Sequence, residues 1–168
     1  MKKIIAICLL FAAIQSTWAI NAKQVFNEFK EVRNAEYISV PRFLIKLGQV
    51  FVNKDKDEDE EGSAEVKRLM HSVHSIKVLD LEKCSNSVKQ KFTKRITALN
   101  TEQYETLVRV NDEDDKVKIL VREEKETIKE LLIVCSGAED CVLIQFKGDF
   151  KESDIDALVK QAENKGKK

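Results

Sequence analysis

Cys135 and Cys141 flank the turn-forming stretch Ser136-Gly137-Ala138-Glu139-Asp140. If two strands meet there with Cys135 opposite Cys141, the pair is placed for a cross-strand disulfide, provided the Cβ atoms approach to about 3.8 Å. So short a loop removes little unfolded-chain entropy, about 2 kcal/mol on a polymer estimate. The alternative is two thiols packed as small apolar side chains. Cys84 stands just before a helix, where unpaired N–H groups lower a thiol's pKa, and is the candidate reactive group. No histidine or carboxylate nearby in sequence specifies a base for it, so a partly buried structural cysteine is the competing reading.

His71 and His74 lie three apart near a helix end and could share one face. Two ligands leave a zinc site incomplete, since three or four are needed. Glu65 or Asp80 could be recruited, but their spacing does not require it, and no metal is assigned. The alternation Asp55, Asp57, Asp59, Glu61 superficially resembles a calcium loop. Counted from Asp55, the required glycine and bidentate glutamate positions hold Glu60 and Val66, so no dedicated site is expected. No phosphate-cradling glycine loop, metalloprotease helix motif or serine elbow occurs, and no cofactor is expected. Lys89, Lys91, Lys94 and Arg95 make a basic helical patch without interleaved aromatics, which reads as a solvated helix face.

The N-terminus sets the compartment. Lys2 and Lys3 precede an apolar run from Ile4 to Ile14, and Thr17 and Ala19 are the small residues of a cleavage site. Residues 1–19 therefore read as a signal peptide. The run is too short for a membrane span, which needs about 20 residues. Cys8 lies inside it and Ile20 stands at the cut, so lipid attachment at the mature N-terminus is not expected. Removing Lys2 and Lys3 from 29 basic residues leaves 27 against 29 acidic ones, a formal charge of −2. That balance gives no long-range pull toward nucleic acid. The location expected is the periplasm or the exterior, with peripheral association with the envelope compatible with both.

Residues 20–168 suit one domain with one sizeable core. Val25, Phe26, Phe29 and Val32 predict a helix over 22–32, and Tyr37, Ile38 and Val40 a short strand. Pro41 fits the first turn of a following helix, lined by Phe43, Leu44, Leu47, Val50 and Phe51. Residues 54–62 form an acidic loop, with six carboxylates between Asp55 and Glu61. Ser63 could open another helix bearing Val66, Leu69, Met70 and Val73. A strand at Ile76–Leu81 and a helix over 86–99 follow.

From residue 101 the period becomes sheet-like. Thr106, Val108 and Val110 alternate along one strand and Val117, Ile119 and Val121 along the next. Strands at 128–135 and 141–147 complete a four-strand meander. With Cys135 opposite Cys141, the residues Ile128, Leu132, Val134, Val142, Ile144 and Phe146 share one apolar face. The other face carries Leu131, Ile133 and Leu143, then turns polar through Lys129, Gln145 and Lys147. Gly148 ends the strand, Asp149 and Glu152 make a capping box, and Ile155, Leu158, Val159 and Ala162 line a last helix before a flexible tail at 164–168. The fold class expected is α+β, a two-layer domain with an antiparallel sheet packed against helices.

The chain resembles the DUF4252 family of uncharacterised exported Bacteroidetes proteins. The resemblance rests on the turn Asn111–Asp115, the strands Lys116–Arg122 and Ile128–Val134, Ser136-Gly137, the run Val142–Asp149, and the Phe26…Phe29…Ala35…Tyr37–Val40 stretch. Many relatives look like lipoproteins; with no lipobox here, the resemblance implies a free periplasmic or secreted protein. The family supplies no catalytic residues to carry over.

A noncatalytic binding or envelope-associated module is the reading these features favour. Leu131, Ile133 and Leu143 form its candidate binding face, for an unknown envelope protein or for self-association. The alternatives are a small extracytoplasmic enzyme assembled from distant residues, with Cys84, His71 and His74 as first suspects, and an oligomerising structural envelope protein.

Overall fold

A computed structural model describes residues 20–46, 71–99, 103–111, 115–137, 140–153 and 155–156. The expected signal peptide at 1–19, the expected acidic loop at 54–62, the helix expected from Ser63 and the expected tail at 164–168 lie outside the described residues. So do Leu47, Val50 and Phe51, and Leu158, Val159 and Ala162.

Helix α1 (Ala22–Phe29) begins at a reciprocal cap. The Gln24 N–H donates to Asn21 Oδ1 at 3.0 Å, and the Asn21 N–H donates to Gln24 Oε1 at 2.9 Å, so both orphan donors are satisfied. The helix stops at Phe29, three residues before the expected end, because turns at 29–32 and 32–35 lead to Asn34 at φ 67°. Asparagine tolerates that left-handed conformation, and the chain reverses there into β1.

Strands β1 (Glu36–Pro41), β2 (Val73–Asp80), β3 (Glu105–Asn111), β4 (Asp115–Glu124), β5 (Thr127–Gly137) and β6 (Cys141–Phe150) form one sheet in the order β1-β2-β6-β5-β4-β3. Every neighbouring pair is antiparallel. The expected meander is β3 to β6, and β2 and β1 extend it beyond β6. Helix α2 (Asn86–Thr97) lies with α1 on one side of this sheet. The architecture is α+β in two layers.

Four local expectations are corrected. Pro41 closes β1, and the expected helix begins one residue later, at Arg42; β1 is an edge strand, where a missing N–H costs no ladder bond. Val73 begins β2 instead of lining a helix, and it is 3% exposed. Gly148 does not end β6. The strand runs on to Phe150, 1% exposed, which anchors it beside Val73 and Ile128. A side chain at Gly148 would meet the Ser72 carbonyl oxygen at 2.2 Å, so only glycine allows this passage. Asp149 accordingly lies within a strand, not at a helix cap.

The fourth correction concerns the β5–β6 register. Ser136, not Cys135, is opposite Cys141; Cys135 pairs with Val142, Val134 with Leu143 and Ile133 with Ile144. A shift of one residue sends every side chain to the other face. Leu132 and Val134 therefore join Leu143 and Cys141 under the helices, with Phe26, Phe29, Phe92, Leu79 and Leu81. Val142, Ile144 and Phe146 go to the outer side. The cause is that both parities of these strands are apolar, so the Gly137 N–H to Asp140 carbonyl bond at 2.7 Å, beside the Ser136–Cys141 pair, sets the register instead. A β-bulge between Ile128 and Glu130 also turns Ile128 to the outer side with Leu131.

At the β4–β5 turn Lys125 and Glu126 have φ of 52° and 60°. Two successive left-handed residues are the geometry that Asn-Gly adopts without steric cost. The double substitution Lys125→Asn, Glu126→Gly is expected to stabilise the domain by about 1 kcal/mol in urea unfolding, with an unchanged denaturant slope.

Candidate functional site

Cys84 is 7% exposed within the helix-side core, its Sγ 3.5 Å from the Arg33 carbonyl oxygen. Burial pushes its thiol pKa up, the opposite of activation by a helix N-terminus. The structure does not bring the histidines to it. Cys84 follows the Asp80 end of β2, whereas His74 sits near the other end, about 20 Å away along the strand. His71 is helical and His74 is in β2, so the two do not share a helix face. His74 Nε2 instead lies 3.3 Å from Asp149 Oδ2. Among the described residues no three histidine, cysteine or acidic side chains form a metal-holding group.

No disulfide joins Cys84, Cys135 or Cys141. Under the observed register the last two project from opposite faces, Cys135 outward and Cys141 inward. Cys141 is fully buried and directs its Sγ to the Gly137 carbonyl at 3.6 Å. Burial raises its pKa as well. The three candidate face residues are also separated. Leu143 is 0% exposed under the helices, Leu131 is 6% exposed on the outer side, and Ile133 is half-buried there.

One charged cluster escaped sequence reasoning. Glu130, 3% exposed, accepts from Tyr104 Oη at 2.9 Å, Gln145 Nε2 at 2.5 Å and Arg122 Nε at 3.2 Å. Arg122 also pairs with Glu124. Glu130 and Gln145 share the inward parity of Leu132 and Leu143, and that alternation is the signal that could have found them. Glu130 is thereby held by donors from β4, from β6 and from the approach to β3. The cluster ties together strands and presents no unpartnered atom to a ligand; among the described residues no buried side-chain nitrogen or oxygen lacks a hydrogen bond.

The outer side has a different character. Ile38, Val78, Ile144, Ile133, Ile119 and Val108 are successive Cα partners, one from each strand across the whole sheet. None of the six is buried. The next row, through Val40, Ile76, Phe146, Leu131 and Val121, packs with Ile45, Phe150 and Ile155 in a second core. The outer face is therefore closed at one end and apolar at partial exposure in the middle.

A family model described as a domain of unknown function, DUF4252, matches residues 26–158. The chain belongs to the DUF4252 family. No curated protein and no solved structure matches it. The match runs from Phe26 in α1 past Ile155, so it covers all six strands of this DUF4252 domain. No helix among the described residues is long and apolar enough to cross a membrane.

Two measurements follow from these placements. After denaturation, mature protein from an oxidising compartment is expected to alkylate at three cysteines, with Cys135 the first to react in the native state; an intact mass two hydrogens short would contradict it. Tyr104 is held protonated by burial and by the Glu130 carboxylate beside it, well above its ordinary value of 10.0. The unfolded chain loses that proton first, so this contribution to stability is complete below about pH 10 and falls as the pH rises toward the folded value. Tyr104→Phe is expected to cost about 1 kcal/mol at neutral pH and to remove this alkaline decline in urea titrations.

Proposed function

We propose that this DUF4252 chain is a noncatalytic binding module outside the cytoplasm, peripherally associated with the envelope. Its contact is a protein surface, either an envelope partner or a second copy, received on the outer side of the sheet. The supporting observation is the apolar row from Ile38 to Val108. Six β-branched residues line up over roughly 24 Å at strand spacing, with no charged side chain among them. At the two edges Ile38 is 56% and Val110 52% exposed. Apolar surface arranged contiguously, unlike scattered single residues, marks interaction sites.

The reading modifies the face expected from sequence. Ile133 stays within it, Leu131 lies at its buried margin, and Leu143 belongs to the opposite side. Its extracytoplasmic setting rests on the leader-like residues 1–19 and the absence of a cysteine at the cut.

Ile38→Asp combined with Val110→Asp tests the surface with little risk to folding, because exposed substitutions change stability by about 0.5 kcal/mol or less. The variant is expected to melt with the wild type while losing self-association in sedimentation or cross-linking to envelope proteins in producing cells. A wild type that is monomeric at all concentrations, with a cross-linking pattern the variant shares, would overturn the proposal.

A further inference from the structure

The inner face of the sheet changes chemistry where α2 leaves it. The cross-strand row Tyr37, Leu79, Leu143, Val134 is apolar through β5 and then continues as Lys118 and Arg109 on β4 and β3. Above them, α2 turns a polar flank: Asn86, Gln90, Thr93 and Thr97 recur at i, i+4, i+7 and i+11, one helix side. A hollow of about 440 Å³ lies along this flank, lined by Asn86, Lys89, Gln90, Thr93, Lys94 and Gly137. One turn further on, a smaller hollow of about 30 Å³ runs between Ile96, Thr97 and Leu99 and the strand residues Thr106, Arg109 and Lys118. Together they make a trough roughly 16 Å long, from the rise over eleven helical residues.

Charge on the two sides of α2 is treated differently. On the α1 side, Lys91 and Arg95 both pair with Glu28, each at 2.9 Å. On the trough side, Lys94, Arg109 and Lys118 have no ion-pair partner among the described residues, and none of the described residues lining either hollow is a carboxylate. The chain as a whole carries equal numbers of acids and bases, so this concentration is local. Tyr104 also lines the narrow hollow, and its hydroxyl donates at 2.9 Å to the buried Glu130, a carboxylate already paired with Arg122. An anion is therefore drawn to the stretch from Lys94 to Arg109.

The hydroxyls narrow the class further. Thr93 Oγ1 donates to the Lys89 carbonyl at 3.0 Å and Thr97 Oγ1 to the Thr93 carbonyl at 2.8 Å. Their hydrogens are engaged, so toward the trough these oxygens only accept. Cations together with acceptors suit a ligand that carries both anionic groups and hydroxyl donors. Polyphosphate has no such donors, and among the described lining residues Tyr104 is the one aromatic ring, too few for a run of stacked bases. We infer that the trough between α2 and the β3–β4 edge binds an acidic oligosaccharide, its carboxylate, sulfate or phosphate groups on Lys94, Arg109 and Lys118 and its hydroxyls on the threonine flank.

The inference is independent of the outer apolar row, which lies on the other face of the sheet. Mature protein is titrated calorimetrically with an oligogalacturonate, a sulfated oligosaccharide and a phosphorylated oligosaccharide of matched length, which separates the three anionic groups. A neutral oligosaccharide and a polyphosphate of similar length serve as comparisons. At least one acidic sugar is expected to bind more tightly than both comparisons, by tenfold or more. Lys94→Ala, Arg109→Ala, Lys118→Ala together are expected to weaken that binding at least tenfold, and Ile38→Asp with Val110→Asp to leave it unchanged. In unsubstituted protein, amide shifts on titration are expected at Gln90, Thr97 and Thr106, so the site is read even if the triple variant fails to fold. Absence of binding by all three acidic sugars, equal binding of polyphosphate, or shifts located elsewhere would overturn the assignment.

Discussion

The pairing of Ser136 with Cys141 decides the inside and outside of this protein. β5 and β6 form the centre of the sheet, with β4 on one flank and β2 on the other, so their register passes to all six strands. Because side chains alternate with a period of two, that pairing places Leu132, Val134 and Leu143 under α1 and α2 and sends Ile133, Val142 and Ile144 outward. A slip of one residue would turn Val142 and Ile144 inward in place of Cys141 and Leu143, while Leu132 and Val134 stayed. The inner face would still be apolar, but it would have to fit against Phe29 and Phe92, which meet edge-to-face at 5.6 Å.

Glu130 resists such an exchange. Its carboxylate is buried, and a buried charge is tolerable only when donors surround it. In the observed register Gln145 from β6, Arg122 from β4 and Tyr104 converge on it. A slip by one residue would turn Glu130 or Gln145 to the other side and leave an uncompensated carboxylate, a cost of about 3–5 kcal/mol. The cluster thus contributes specificity of pairing, which two-sided apolar strands lack.

An apolar face on each side of a sheet is unusual for an antiparallel arrangement, where one side is commonly polar and solvated. Here the inner side is closed by two helices, and the outer side is closed at one end by Ile45, Phe150 and Ile155. The remaining outer row is partly exposed. The inner side, by contrast, places Lys118 and Arg109 beside the end of α2. One sheet therefore offers two surfaces of distinct chemistry on opposite sides, apolar outside and cationic along α2.

The existence and type of most elements were legible in the sequence by itself. The helical spacing of Phe26 and Phe29, the four-four-three spacing from Val88 to Leu99, and the alternation in β3 and β4 each report a local periodicity, which neighbouring residues along the chain suffice to determine. The α+β class follows from those elements. Pro41, Val73 and Gly148 were misplaced because their settings depend on partners distant in sequence: an edge position, the strand β6, and the Ser72 carbonyl. The face assignment of Leu131, Ile133 and Leu143 and the clustering of Glu130 with Tyr104 were decided only by tertiary structure. Alternation carries no face information when both parities are apolar, so the Gly137–Asp140 bond beside the Ser136–Cys141 pair and a buried carboxylate's need for donors made the choice.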